Sequence, residues 1–327
     1  MQCKLGYTDM KEQLLKVRVR KRDLQGDGVV VIELAAADEA ALPPFEAGAH
    51  VDAHLETGLV RQYSLCGDPA ESRSYRLGVL KDPASRGGSV KVHERWKEGT
   101  EVIIGAPRNL FPLAHGAQRT ILMGGGIGIT PMIAMAYSLH ARGEPFELHY
   151  CGRARSRCAF VDELESAAFA DQVFTHFDDE VDSALDIDAV LGVGSPGLHL
   201  YTCGPSGFMQ WVIDAASRLG YAESNVHFEY FQVEVDGSGT SFEVVAAASG
   251  KTVRVEEGQT IVEALGSIGI KIDVSCEQGV CGTCMCGVLE GEPDHRDVYF
   301  TDEEKQANDQ ILLCCSRARS KKLVLDI

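Results

Sequence analysis

The segment CEQGVCGTCMC, residues 276–286, places four cysteines within eleven residues. Disulfide frameworks, zinc sites and iron–sulfur centres all gather thiols this closely, and the spacing discriminates among them. Cys276, Cys281 and Cys284 stand in a C-x4-C-x2-C pattern, and 29 residues separate Cys284 from Cys314. Structural zinc sites favour paired C-x2-C units, and this stretch holds one, Cys281/Cys284. Three close cysteines and a distant fourth make the plant-type [2Fe-2S] pattern. An anionic two-iron cluster needs four thiolates; a short loop wraps three of them, and the fourth arrives from across the fold. Gly279 and Gly282 let the loop curl tightly enough to aim backbone N–H groups at the sulfurs.

The 327-residue length predicts two or three domains. A net charge of −17, from 31 Lys+Arg against 48 Asp+Glu, argues against nucleic acid as a partner, because phosphate backbones require clustered cations. The opening MQCKLGYTDMKEQ lacks the apolar core of a signal peptide. No apolar run reaches the ~18 residues of a membrane span. A cytoplasmic location is expected, and there eleven cysteines read as metal-binding or catalytic thiols before disulfides. The scattered Cys3, Cys66, Cys151, Cys158 and Cys203 read by themselves as small buried hydrophobes.

Three textures follow one another. From Leu14 to Phe111, short alternating runs (LLKVRVR, VVVIEL, HVDAHL, RQYSL, YRLGVL, EVIIGA) separated by turn clusters predict an antiparallel barrel, interrupted by one helix at SVKVHERWK. From Thr120, strands alternate with helices: TILMG, ITPMIAMAYSLHARG, FELHYCG, AFVDELESAAF, QVFTHF, LHLYTCG and SGFMQWVIDAASRLG. That order predicts a parallel, doubly wound sheet. Past the hinge VEVDGSGTS come two strand-like runs, a helix TIVEALGSI, the cysteine loop, a helix opening at TDEEK with capping-box spacing Thr301/Glu304, and a last strand KKLVLDI. The expected domains are 1–113, 114–232 and 233–327.

Several motifs become informative together. RQYSL (Arg61 to Leu65) lies on a barrel strand, and Gly87, Gly88 and Ser89 open a helix whose free N–H groups suit a phosphate. GGGIGITP (Gly124 to Pro131) links a buried strand to a helix, and YTCGP (Tyr201 to Pro205) ends a strand where open α/β sheets bind ligands. Taken singly, each is also an ordinary strand, helix cap or core thiol.

With CEQGVCGTC and CSRA (Cys315 to Ala318), these motifs resemble the phthalate dioxygenase reductase and vanillate demethylase reductase family over nearly the whole chain. The resemblance implies a flavin barrel, a nicotinamide α/β domain and an α+β, β-grasp ferredoxin domain. It implies FMN held by Arg61 (phosphate), Gln62, Tyr63 (ring face), Ser64 (near the hydride-accepting nitrogen), Gly87, Gly88 and Ser89, with PRNLFPL (Pro107 to Leu113) closing the barrel. NADH is implied at Gly125, Gly126, Ile127, Thr130, Pro131, Cys203, Gly204 and Pro205, Cys203 lying beside the nicotinamide. Phe228 or Phe231 of HFEYF shields the flavin in this reading. Alignment on CSRA makes Cys314 the fourth cluster ligand and leaves Cys286 and Cys315 spare.

Nicotinamide gives up two electrons at once and the cluster accepts one, so a flavin converter is required between them. The implied route is NADH to FMN to [2Fe-2S] to a Rieske-type oxygenase, with a monomeric reductase. A cytochrome P450 or carnitine-type oxygenase is the alternative acceptor, and a redox-sensing, cluster-carrying binding protein without turnover the alternative class. GRARSR (Gly152 to Arg157) offers arginines to a 2′-phosphate, yet the reading favours NADH. From Val233 onward, 9 Lys+Arg face 17 Asp+Glu, consistent with docking on a basic surface and equally with simple solubility.

Overall fold

Val17 and Val19 are buried while their neighbours in sequence are exposed, the period-two pattern of a strand with one face in a core. In the computed structural model of the chain, the described residues are 13–56, 59–82, 87–180, 183–231 and 236–327. Strands β1 (Leu14–Gln25), β2 (Val29–Ala36), β3 (Ala49–Glu56), β4 (Leu59–Ser64) and β5 (Ser74–Leu80) precede helix α1 (Gly88–Arg95), followed by β6 (Glu101–Gly105) and β7 (Arg108–Asn109). They pair in the order β4-β3-β6-β1-β2-β5, with β7 added to β3. An antiparallel bridge between Leu65 and Leu77 brings the two ends of this path together and closes the barrel.

The α/β portion runs β8 (Arg119–Gly125), α2 (Ile129–Arg142), β9 (Phe146–Gly152), α3 (Val161–Glu165), β10 (Val173–Phe177), α4 (Ile187–Leu191), β11 (Leu198–Cys203), α5 (Ser206–Arg218) and β12 (Val226–Glu229). Its sheet is parallel throughout, in the order β10-β9-β8-β11-β12. The order reverses between β8 and β11, the switch point at whose carboxyl ends such sheets bind ligands. Helix α2 ends at Gly143 with φ 65°, as the terminal glycine predicts. Helix α3 is shorter than the AFVDELESAAF pattern suggests, because the Ser166 hydroxyl donates to the carbonyls of Asp162 and Glu163 and competes with further turns.

The chain divides into two compact units, Met1–Gly204 with Phe208–Glu229 and Pro205–Gly207 with Tyr230–Ile327. Barrel and parallel sheet lie in the first. In the second, β13 (Phe242–Ala246) and β14 (Lys251–Val255) precede α6 (Ile261–Ser267), and then follow β15 (Met285–Glu290), β16 (Pro293–Asp294), α7 (Asp302–Ala307), β17 (Gln310–Leu312), β18 (Arg317–Ala318) and β19 (Lys322–Leu325). The order β14-β13-β19-β15-β17 makes a mixed sheet that buries Ile261, Ala264 and Leu265 of α6 against Val244, Leu323 and Leu325. This is the α+β architecture expected. Thr301 and Glu304 form the predicted capping box at α7, and Thr260 with Glu263 a second at α6. Among the described residues, no helix is long and apolar enough to cross a membrane. The expected boundary at 232/233 lies outside the described residues.

Candidate functional site

The cysteine loop curls through left-handed backbone at Glu277 (φ 55°), Gly279 (φ 72°) and Gly282 (φ 75°). The curl turns two N–H groups toward one sulfur: Gln278 N lies 3.3 Å and Val280 N 3.5 Å from Cys276 Sγ. The Cys276 thiol contacts those of Cys281 and Cys314, and Cys314 contacts Cys284. Among the described residues, no group of three or more His, Cys, Asp or Glu converges as the ligands of a single ion would. The thiols instead touch in a chain, Cys281 to Cys276 to Cys314 to Cys284, a four-sulfur donor set of the number a two-iron group takes. The Cys276 side chain and burial push the Cys281 thiol well above its ordinary range. Iron would compensate the charge of thiolates here, and the donor set of four cysteines fits the cluster. Cys286 is buried elsewhere, donating to Gly287 O at 3.4 Å. Cys315 touches Cys314 and packs behind the loop, its Sγ 2.6 Å from where a Cβ on Gly279 would stand.

In the first unit, the flavin motifs come together at the N-terminus of α1. The Arg61 stem crosses Gly88 so closely that a Cβ there would lie 2.6 Å from Arg61 Cγ. Gly87 takes φ 95° ahead of the helix, and Ser89 Oγ accepts the Asp82 N–H at 3.2 Å. A guanidinium beside a glycine-opened helix start fits a phosphate. Gln62 lies 3.2 Å from His50, and burial raises the Tyr63 phenol above its ordinary range. The PRNLFPL segment ties the barrel to the YTCGP strand: Ala114 N donates to Tyr201 Oη at 2.6 Å, and the Phe111 and Tyr201 rings lie 5.5 Å apart.

GGGIGITP and TCGP meet at the switch point. A Cβ on Gly128 would stand 2.2 Å from Cys203 O, and one on Gly204 3.0 Å from Gly125 Cα. Gly126 (φ 54°) has open space where a side chain would be, leaving backbone accessible to a ligand. Thr130 and Pro131 are buried, the Thr130 hydroxyl donating to Ile127 O at 3.0 Å, so these residues shape the loop. Pro205 follows on the exposed turn into α5, Phe228 is exposed on β12, and Phe231 lies beyond that strand.

Glu229, which the sequence reading passed over between Phe228 and Phe231, occupies the meeting point. It pairs with Cys203 across β11 and β12, and Ser64 Oγ donates to its Oε2 at 3.3 Å. Burial pushes its carboxyl up to about 7, against the smaller opposing pull of Ser64. Burial and then Glu229 push the Cys203 thiol well above its ordinary value, so it stays neutral. Gly128 was missed too; the signal was a fourth glycine in the motif that only close strand–loop packing requires. Arg155 is committed to Glu165 (2.7 Å) and Glu180 (2.9 Å), and Arg157 to Asp27 (3.2 Å).

The 2Fe-2S iron-sulfur cluster binding domain family matches residues 233–319. A vanillate O-demethylase oxidoreductase of Pseudomonas sp. (strain HR199 / DSM 7063) is 49% identical over 317 residues, covering 96% of this chain and 100% of that one. Among solved structures, phthalate dioxygenase reductase, described as modular for electron transfer from pyridine nucleotides to [2Fe-2S], is 37% identical with a TM-score of 0.75, over 96% and 98% of the two chains. An intact type IV self-sufficient cytochrome P450 monooxygenase superposes with a TM-score of 0.82 at 36% identity, over 96% of this chain and 41% of that one. Fold and relatives define an NAD(H)-dependent oxidoreductase that carries a 2Fe-2S cluster binding domain. The chain belongs to the family of the vanillate O-demethylase oxidoreductases and phthalate dioxygenase reductase.

Proposed function

We propose that this chain is the monomeric reductase component of a two-component Rieske-type aromatic oxygenase or O-demethylase, taking electrons from NADH and handing them singly to the oxygenase. The observation that carries the reading is the convergence of Ser64, Cys203 and Glu229, which unites the barrel motif with the nicotinamide motif. Bound FMN supplies the conversion between a two-electron donor and a one-electron acceptor.

Around it, each residue has a stated task. Arg61 and Gly87 to Ser89 would hold the phosphate, and Gln62 and Tyr63 would frame the ring. Gly125, Gly126 and Ile127 would present backbone to the pyrophosphate, on a loop shaped by Thr130 and Pro131. Cys203, Gly204 and Pro205 would bound the nicotinamide pocket, with Phe228 or Phe231 shielding the flavin. A neutral Cys203 thiol can hold an uncharged ring without competing as a nucleophile. Glu229, titrating near neutrality, can hold or release a proton at Oε2 beside Ser64. Cys276, Cys281, Cys284 and Cys314 would ligate the cluster. The domain limits 113/114 and 232/233 and a cytoplasmic location belong to the same reading.

The deciding experiment reconstitutes purified protein with FMN and cluster, and follows NADH-driven reduction of a Rieske oxygenase component. Reduction of that component is expected; failure to bind flavin, or cluster without NADH turnover, would leave a cluster-carrying binding protein instead. Superposition on part of a self-sufficient cytochrome P450 monooxygenase favours a second acceptor, and transfer to a P450 but not to Rieske proteins would select it.

A further inference from the structure

The turn that follows β16 backs the ligand loop. Its central carboxylate, Asp297, is fully buried. Asp297 Oδ2 accepts the backbone N–H groups of Tyr299 at 3.2 Å and Phe300 at 2.9 Å. Its Oδ1 accepts the Ser316 hydroxyl at 3.5 Å. The turn held in this way meets the three-cysteine loop at both glycines. Val298 N donates to Gly279 O at 3.1 Å. A Cβ on Gly279 would lie 3.0 Å from Asp297 Cα, and one on Gly282 2.5 Å from the Tyr299 ring. Ser316, two residues past Cys314, is itself buried and accepts the Arg296 N–H at 3.3 Å. One side chain thus supports the loop carrying three sulfurs and the segment carrying the fourth.

Among the described residues, the carboxylate has no ammonium or guanidinium against it. Lys305 Nζ reaches only the main-chain oxygen of Asp297, at 2.9 Å. His295 Nδ1 lies 3.5 Å from Oδ1, yet neither ring nitrogen has a hydrogen-bond partner among the described residues. A fixed negative charge in low-dielectric surroundings opposes the addition of another nearby, and each reduction adds one electron to an already anionic cluster.

We propose that Asp297 is a positioning residue for the cluster whose buried charge, partly offset by the Ser316 hydroxyl, holds the reduction potential down. The inference rests on Cys276, Cys281, Cys284 and Cys314 as ligands. The test is the cluster midpoint potential of the flavin- and cluster-loaded protein, by dye-mediated titration read from the electron paramagnetic resonance signal, with iron and sulfide counted per chain. Asp297→Asn keeps an acceptor for the turn N–H groups but removes the charge. It is expected to raise the reduction equilibrium constant about tenfold, roughly 59 mV for one electron. Ser316→Ala keeps the charge and removes its hydroxyl partner, and is expected to shift the potential the opposite way. Shifts of one sign in both variants, or a parent-like potential in a fully loaded Asp297→Asn, would overturn the proposal. Should Asp297→Asn fail to load, Ser316→Ala decides alone, and an unchanged or raised potential there rejects it. A wrong ligand set reads out separately, as full iron content in Cys314→Ser.

Discussion

Ser64 and Glu229, 165 positions apart, share a 3.3 Å hydrogen bond from the serine hydroxyl to Glu229 Oε2. It joins the end of a barrel strand to the end of the parallel sheet. The same glutamate pairs with Cys203 on the neighbouring strand, so one carboxyl lies where the flavin motif and the nicotinamide motif meet.

The raised Glu229 carboxyl makes turnover and stability depend on pH. Between the ordinary 4.5 and the folded value of about 7, the folded chain binds more protons than the unfolded one. Stability therefore falls as pH rises through that window, and the cost persists above it. Glu229→Gln, which keeps an acceptor for Ser64, should raise Tm relative to the parent at pH 8.5 and lose the difference near pH 4. Its turnover profile should lack the inflection near pH 7. Differential scanning calorimetry and steady-state profiles check both.

Cys203→Ala should slow flavin reduction by NADH on the order of tenfold, because the ring loses one wall of its pocket. Flavin content should be unchanged. Stopped-flow absorbance measures the rate, and equal rates in variant and parent would remove Cys203 from the site.

Cys314→Ser should abolish the cluster's visible spectrum, whereas Cys286→Ser and Cys315→Ser should retain it. The thiol contacts separate these cases: Cys314 touches Cys276 and Cys284, while Cys286 turns toward Gly287. Iron and sulfide analysis of the three purified variants supplies the check.

Gly88→Ala should weaken FMN binding nearly as much as Arg61→Ala, since the added Cβ would displace the Arg61 stem. Losing one charged phosphate contact costs about 1.5–3 kcal/mol, roughly a ten- to hundredfold rise in Kd. Fluorescence titration of the apoprotein with FMN measures it.

NADH should be preferred over NADPH, because Arg155 is already engaged by Glu165 and Glu180. Glu165→Gln combined with Glu180→Gln frees the guanidinium. The ratio of kcat/KM for NADPH to that for NADH should then rise roughly tenfold. An unchanged ratio would place the 2′-position elsewhere.

Local chemistry made much of this legible in the chain. The C-x4-C-x2-C spacing, the glycines that need left-handed backbone, the Thr301/Glu304 cap and the change from alternating runs to strand–helix order depend on residues close in sequence. Their geometry follows from short-range sterics and hydrogen bonding. Strand β15 escaped notice because Met285–Glu290 runs straight on from the ligand loop and carries Cys286, which reads as part of the cysteine cluster.

Tertiary structure decided what depends on distant partners. Arg155 offers a phosphate-binding charge in sequence, and only folding brings Glu165 and Glu180 against it. Glu229 is an ordinary carboxylate in sequence, and burial beside Cys203 and Ser64 moves its titration toward neutrality. Gly128 is one glycine among several until Cys203 O approaches to where its side chain would stand. Residue types and spacing determined which cofactors the chain can hold. Burial and long-range contact, which no local pattern encodes, decided which of its charges are free and which protons can move.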